Sequence, residues 1–126
     1  MGRKISVLIV DDEPNVCETL KLSLERKHGF VVHTALDGKS GLRLAQRIVP
    51  DVIILDVMMP GLSGGQVAET LREFHSTACI PIVFLTGMLS KAEIEERGDE
   101  IGGEIYVAKP VTTEELASTI HWVLGR

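Results

Sequence analysis

Short aliphatic segments alternate with longer amphipathic ones five times along the chain. The aliphatic segments are rich in β-branched residues, and several are apolar throughout: Ile5–Val10, Val31–Ala35, Val52–Leu55, Ile82–Leu85 and Ile105–Val107. Apolar runs of this length without alternation are typical of strands buried on both faces of a parallel sheet. The pattern therefore predicts five such strands.

Helical periodicity fills the segments between the strands. Val16, Leu20 and Leu24 recur every four residues, so they share one face of a first helix over Asn15–Lys27. Gly29 follows this helix, where a left-handed residue is favoured. Further helices are predicted after Gly38, over Gly64–His75, after a Ser90–Glu93 capping box and after a Thr112–Glu115 capping box.

Five strand–helix units predict a three-layer α/β sandwich with right-handed crossovers. The chain shows no linker, low-complexity segment or second pattern, so residues 1–126 are expected to form a single domain. Ligands of open parallel sheets bind outside the carboxyl ends of the strands. The residues that directly follow each strand are therefore the first candidates for function.

Composition and charge narrow the class of protein. The chain has 44% hydrophobic and 25% charged residues, and no apolar run reaches the ~20 residues that span a bilayer. The apolar stretch after Arg3 and Lys4 stops too early for a signal peptide, so we expect a cytoplasmic protein without membrane contact. A net charge of −5 with scattered basic residues argues against nucleic-acid binding by this domain alone.

The two cysteines, Cys17 and Cys79, lack the spacing of metal ligands or of a redox pair. Both are expected to be small buried hydrophobic residues.

Polar residues follow four of the five predicted strands. They are Asp11 and Asp12 after the first strand, Asp56 after the third, Thr86 after the fourth and Lys109 after the fifth. Because these strand ends meet at one edge of the sheet, three carboxylates, a hydroxyl and an ammonium group should converge there.

This set of groups suits phosphoryl transfer to a carboxylate. Crowded carboxylates favour a hard divalent cation, and Mg²⁺ is commonly bound through carboxylates plus a phosphate. Lys109 can pair with Asp56 before reaction and with phosphoryl oxygens afterwards, and the Thr86 hydroxyl can donate to a phosphoryl oxygen. Gly87 leaves the approach to this edge open. Metal and lysine together would neutralise the weak nucleophile and the incoming group, giving an aspartyl phosphate at Asp56.

Four segments, in this order and at this spacing, resemble the receiver domains of bacterial two-component response regulators. Val10–Glu13 is similar to the acidic opening of the family, and Asp56–Gly64 resembles its D-x-x-M-P-x-x-x-G stretch. Thr86-Gly87 and Lys109-Pro110 look like the switch hydroxyl and the active-site lysine with its proline. The resemblance runs from about Ile5 to the C-terminus.

The resemblance implies a chemotaxis-regulator-like, flavodoxin-like (βα)5 fold with strand order 2-1-3-4-5. It implies a phosphoacceptor that takes a phosphoryl group from a sensor histidine kinase or a phosphotransfer protein. Apart from its own phosphorylation and slow dephosphorylation, such a domain is not an enzyme. It would switch binding to an effector domain or downstream protein that the sequence does not name.

The resemblance also implies roles for individual residues. Asp56 would be phosphorylated, and Asp11, Asp12, Asp56 and the backbone carbonyl of Met58 would hold Mg²⁺. Thr86 and Gly87 would contact the phosphoryl group with Lys109, and Tyr106 would change rotamer when Thr86 moves inward. The bond between Lys109 and Pro110 is implied to be cis.

The sequence departs from the family pattern at two places. Val111 stands where the lysine-proline pair is usually followed by phenylalanine, and Gly102-Gly103-Glu104-Ile105 stands in place of the frequent G-A-D-D. Met58 and Met88 are apolar at the two positions that flank the phosphate on the family pattern. Since they would position no attacking water, we expect a fairly long-lived phosphorylated state.

Other interpretations of the same residues remain open at this stage. Asp11 and Asp12 could simply cap the first helix. A phosphatase of the haloacid-dehalogenase type also uses an aspartyl nucleophile, but it needs a second aspartate at the position of Met58 and a cap domain. A degenerate receiver that only binds partners would not need the full acidic set. A flavodoxin-like cofactor carrier would need a loop rich in Ser, Thr and Gly after the first strand, where this chain has three acids.

Overall fold

A single sheet is flanked by helices on both faces. The computed structural model describes residues 3–97, 100–101 and 104–126, so the first two residues of the departure from G-A-D-D, Gly102 and Gly103, lie outside the described residues. In chain order the elements are β1 (Ser6–Val10), α1 (Pro14–His28), β2 (Val31–Ala35), α2 (Gly38–Ile48), β3 (Val52–Asp56), α3 (Gly64–Glu73), β4 (Ile82–Thr86), α4 (Lys91–Arg97), β5 (Glu100–Ile101), β6 (Glu104–Ala108) and α5 (Thr113–Leu124).

The sheet has the order β2-β1-β3-β4-β6-β5. All pairs among β1, β2, β3, β4 and β6 are parallel, so the predicted order 2-1-3-4-5 is confirmed, with β6 as the fifth parallel strand. The short β5 pairs antiparallel with β6 at the edge. The sequence did not predict β5, because two residues are too short to show a period.

Two hydrophobic cores lie on opposite faces of the sheet. Side chains alternate between the faces of a strand, so Val52 and Ile54 of β3 enter one core while Ile53 and Leu55 enter the other. The first core contains buried residues of α1 and α5, and the second contains buried residues of α2 and α3. Every residue of β3 and β4 is buried, which confirms that their continuous apolar runs belong to central strands.

Capping residues in the sequence mark most of the observed helix ends. Gly29 closes α1 with φ of 70°, and the predicted capping boxes at Ser90–Glu93 and Thr112–Glu115 are both formed. A third capping box, Ser63–Gln66, begins α3 and was not predicted. That helix ends at Glu73, two residues before the predicted His75, because Phe74 adopts an extended conformation.

The structure also bears on the two cysteines and on membrane-spanning helices. Cys17 is buried as expected, but the expectation for Cys79 is wrong because this residue is exposed in the connection between α3 and β4. Among the helices of the described residues, none has both the length and the apolar character to cross a membrane.

Candidate functional site

The strand register brings the predicted polar residues to one edge of the sheet. Val10 is opposite Leu55, Asp56 is opposite Leu85, and Thr86 is opposite Ala108, so β1, β3, β4 and β6 end at the same level. The residues that follow these pairs must therefore share one edge. Asp11, Asp56, Thr86 and Lys109 lie there, as the sequence predicted.

Lys109 is the centre of an ion-pair network at this edge. Its Nζ atom lies 2.8 Å from Oδ2 of Asp11, 3.1 Å from Oε1 of Glu13 and 3.3 Å from Oδ2 of Asp56. Its backbone N–H donates to the carbonyl oxygen of Thr86 at 2.8 Å, which fixes where the side chain leaves the backbone. One ammonium group thus faces three carboxylates, two from the connection between β1 and α1 and one from the end of β3.

The network is buried where it meets the sheet. Asp11 is 0% exposed and Asp56 is 5% exposed, whereas Asp12 is exposed to solvent. Burial raises the pKa of Asp56, and the charge of Asp11 raises it further, against the opposing effect of Lys109. Burial alone would lower the pKa of Lys109, but its contacts with Asp11, Glu13 and Asp56 outweigh this and hold the pKa above its ordinary range.

The acidic residues can supply oxygen ligands to a metal ion. One carboxylate oxygen from each of Asp11, Asp12 and Asp56 lies within 4.8 Å of the other two. Glu13 N–H donates to Oδ1 of Asp11 at 2.9 Å, and the buried Oδ2 of Asp11 lies 2.8 Å from the Lys109 ammonium. A buried carboxylate beside two further carboxylates fits a hard divalent cation.

Backbone N–H groups of two methionines orient the side chains at this edge. Met58 N–H donates to Oδ1 of Asp56 at 3.3 Å, and Met88 N–H donates to Oγ1 of Thr86 at 3.0 Å. Each methionine lies two residues after the side chain it binds. The loops after β3 and β4 therefore hold the carboxylate and the hydroxyl in the same way.

Gly64 permits the loop after β3 to fold back on the strand end. A Cβ atom at Gly64 would lie 2.3 Å from the carbonyl oxygen of Asp56 and 2.9 Å from Cα of Val57. The N–H of Gly64 donates to the carbonyl oxygen of Val57 at 3.0 Å. Since no side chain fits there, the glycine that closes the D-x-x-M-P-x-x-x-G stretch is a steric requirement of the Asp56 loop.

The structure also places the residues of the predicted switch. Thr86 is buried, and Tyr106 is partly buried and stacks on Phe84 with ring centroids 5.2 Å apart. Tyr106 is opposite Phe84 in the register and Thr86 is two residues beyond Phe84, so Tyr106 and Thr86 belong to the same face of the sheet. Gly87 is exposed, and a Cβ atom there would meet nothing within 4 Å, so the approach beside Thr86 is open. The Lys109–Pro110 peptide bond is cis in the structure.

Sequence reasoning missed two contributors to the site. Glu13 contacts Lys109 directly, and Cys17 donates its thiol hydrogen to the backbone carbonyl of Asp11 at 3.4 Å. The position of Glu13 offered a signal, because glutamate is a poor N-cap residue yet stands at the N-cap of α1 before Pro14. Cys17 gave no signal beyond its apolar surroundings.

Comparisons with known proteins agree with this geometry. A family model described as "Response regulator receiver domain" matches residues 7–121, which is most of the chain. The chain belongs to the response regulator receiver domain family. It is a receiver domain of two-component signalling, and its fold is that of the family.

Individual relatives and structures lead to the same family. The chain is 39% identical to "Probable transcriptional regulatory protein TcrX" of Mycobacterium tuberculosis over 99% of its own length and 52% of that protein. It is 38% identical to "Protein PilH" of Pseudomonas aeruginosa, covering 94% of this chain and 97% of PilH. The crystal structure of chemotaxis protein CheY4 of Vibrio cholerae superimposes with a TM-score of 0.82 at 32% identity, covering 97% of this chain and all of that one. The receiver domain thus spans about half the length of TcrX and nearly all of PilH.

Proposed function

We propose that Asp56 accepts a phosphoryl group from the phosphohistidine of a sensor kinase or phosphotransfer protein, and that residues 1–126 act as one domain in doing so. The observation that carries this proposal is the contact of Lys109 with both Asp11 and Asp56 at a buried strand end. A structural ion pair would need one carboxylate for one ammonium group. Here several carboxylates surround a single lysine, which leaves negative charge to be balanced by a cation.

The chain's own residues prepare the transfer by position and charge. A carboxylate oxygen of Asp56 attacks phosphorus, a P–O bond forms, and the P–N bond to the donor imidazole breaks. The imidazole leaves with the electron pair of that bond and takes up a proton. Lys109 then loses part of its contact with Asp56 and gains one with a phosphoryl oxygen, so its charge serves both states.

We further propose that the metal held here is Mg²⁺. Asp11, Asp12 and Asp56 would hold it through carboxylate oxygens, together with the backbone carbonyl of Met58. When bound, the ion supplies positive charge that offsets the charge of the phosphoryl oxygens. The crowding of these three carboxylates, with one oxygen of each within 4.8 Å of the other two, supports this assignment.

Phosphorylation would be read by partners through Thr86 and Tyr106. The Thr86 hydroxyl would leave Met88 N–H to donate to a phosphoryl oxygen, and Tyr106 on the same face of the sheet would move into the vacated space. Tyr106, Ile94 and Trp122 line a cavity of about 630 Å³ between α4, β6 and α5. This surface would change for an effector domain or a separate downstream protein.

The proposal is tested by intact-mass measurement after incubation with acetyl phosphate. We expect the mass of one phosphoryl group to be added with Mg²⁺ and not with EDTA. Asp56→Asn should remove the adduct, whereas the matched variant Asp37→Asn should keep it, because Asp37 is an exposed N-cap of α2 whose carboxylate binds Ser40 rather than Lys109. An unchanged mass under all conditions would indicate a binding-only domain, and continuous release of phosphate from many small esters would indicate a phosphatase.

A further inference from the structure

Two exposed methionines adjoin the proposed phosphoacceptor centre. Met58 is 63% exposed and Met88 is 67% exposed, which are the largest exposures among the large hydrophobic residues of the described chain. Met59, by contrast, is only 9% exposed and packs in the core with Leu55. The described residues therefore include two accessible thioethers, at Met58 and Met88, and a protected one at Met59.

The two exposed residues are coupled to the functional side chains by their backbones. Met58 N–H binds the carboxylate of Asp56, and Met88 N–H binds the hydroxyl of Thr86. Both side chains therefore leave the backbone beside the edge where the phosphoryl group would sit. We call Met58 and Met88 the methionine pair.

We propose that the methionine pair is an oxidation site whose conversion to sulfoxide shortens the lifetime of the phosphoryl group on Asp56. This inference rests on the proposed function. The oxidant is a peroxide: the thioether sulfur attacks one oxygen of hydrogen peroxide, the O–O bond breaks, an S=O bond forms, and the second oxygen leaves as water. The sulfur loses two electrons and the peroxide gains them.

The chemical consequence follows from what each side chain can bind. A thioether is a weak hydrogen-bond acceptor, so the unmodified pair offers little to hold an attacking water at the phosphoryl group. A sulfoxide oxygen is a strong acceptor on a polar side chain. It can accept a hydrogen bond from a water molecule and orient that water toward phosphorus.

The experiment uses the full chain in a Cys79→Ser background, because the exposed Cys79 thiol would also react with peroxide. The protein is treated with hydrogen peroxide, mapped by peptide mass spectrometry, and phosphorylated with acetyl phosphate and Mg²⁺. Loss of the adduct is then followed after the donor is removed. We expect oxidation of the pair before Met59, and loss of phosphate about threefold to tenfold faster, well below the ~100-fold that an aligned general base can give.

Two variants separate the pair from other effects of peroxide. The double variant Met58→Leu with Met88→Leu keeps the positions apolar, so its phosphoryl lifetime should be the same before and after peroxide. The matched variant Met59→Leu keeps the pair and should remain sensitive. The double variant Met58→Gln with Met88→Gln should show the shorter lifetime without any oxidant, because its amides are also strong acceptors.

The outcomes distinguish this inference from the proposed function. A phosphorylated protein whose lifetime is unchanged by oxidation of the pair overturns the inference alone, as does equal sensitivity in the double leucine variant. A chain that takes up no phosphate before oxidation overturns the proposed function and the inference with it.

Discussion

The Nζ atom of Lys109 lies 3.3 Å from Oδ2 of Asp56, although 53 positions separate the two residues in the chain. The parallel sheet produces this contact. β3 and β6 lie on either side of β4, and their carboxyl ends meet at the same edge of the sheet. The same ammonium group lies closer to Asp11, at 2.8 Å. Lys109 is therefore a shared counter-charge for the acidic edge rather than the partner of one aspartate.

Replacing Lys109 by methionine should destabilise the metal-free protein. The change leaves the buried carboxylates of Asp11 and Asp56 without their cation, and breaking a fully buried pair costs ~3–5 kcal/mol. The Lys109 side chain is 19% exposed, so we expect a smaller loss of about 2 kcal/mol in the free energy of urea unfolding. The control Lys27→Met breaks an exposed pair with Glu114 and should change this energy by about 0.5 kcal/mol or less. Equal losses in both variants would contradict the shared counter-charge.

Asp56→Asn should stabilise the metal-free protein at neutral pH. Burial and the charge of Asp11 raise the pKa of Asp56 in the folded state, so the folded protein holds this proton more tightly than the unfolded chain does. Ionised Asp56 therefore opposes folding. The penalty is absent below the ordinary carboxyl pKa of about 4 and grows as pH rises from there through the raised folded pKa.

The gain from Asp56→Asn should accordingly shrink as pH is lowered from 7 toward 4 in urea unfolding with EDTA. Asp37→Asn serves as the contrast, because hydrogen bonds from Ser40 lower the pKa of Asp37 and its charge does not oppose folding. That variant should show no stabilisation at pH 7. A pH-independent gain for Asp56→Asn would exclude carboxylate ionisation as its cause.

Gly64→Ala should disrupt the loop after β3, whereas Gly65→Ala should not. A Cβ atom at Gly64 would overlap the backbone of Asp56 and Val57, and rigid backbone cannot yield cheaply. The Cβ atom at Gly65 would meet only Oγ of Ser63 at 3.9 Å, and alanine is favoured over glycine within a helix by about 1 kcal/mol. We expect Gly64→Ala to lose about 2 kcal/mol or more of stability and most phosphorylation. Similar behaviour of the two variants would show that the close approach does not matter.

The two cysteines should react with iodoacetamide at very different rates in the native protein. Cys79 is exposed, whereas Cys17 is buried against Asp11, and burial followed by the charge of Asp11 raises the pKa of the Cys17 thiol to about 11. Since the thiolate is the reactive form, Cys17 should be alkylated only after unfolding. Peptide mapping after short exposure to the reagent checks this, with protein in urea as the control. Rapid native alkylation of Cys17 would mean that the region behind Asp11 opens readily.

The convergence of the site could be predicted because it depends on topology alone. Once the apolar runs are recognised as parallel strands, Asp11, Asp56, Thr86 and Lys109 must meet at one edge. Strand limits such as Val31–Ala35 followed from the same pattern and agree with the structure.

Features set by tertiary packing could not be predicted in the same way. Glu13 reaches Lys109 through its side-chain conformation, and Cys79 is exposed because of how the segment after α3 is folded. The steric role of Gly64 also needs coordinates, since a sequence shows the glycine but not the backbone that approaches it. Sequence patterns therefore indicated which residues gather, while distances, burial and pKa directions required the structure.

Reduction of the phosphorylated protein with borodeuteride tests the central claim most directly. Deuteride attacks the acyl carbon of an aspartyl phosphate and releases phosphate, which leaves an aldehyde. A second deuteride reduces this aldehyde to a dideuterated homoserine that peptide sequencing can place in the chain. We predict this label at position 56, dependent on both Mg²⁺ and the phosphodonor. Label at another aspartate, or bound phosphate with no reducible acyl group, would contradict the assignment of Asp56 as the phosphoacceptor.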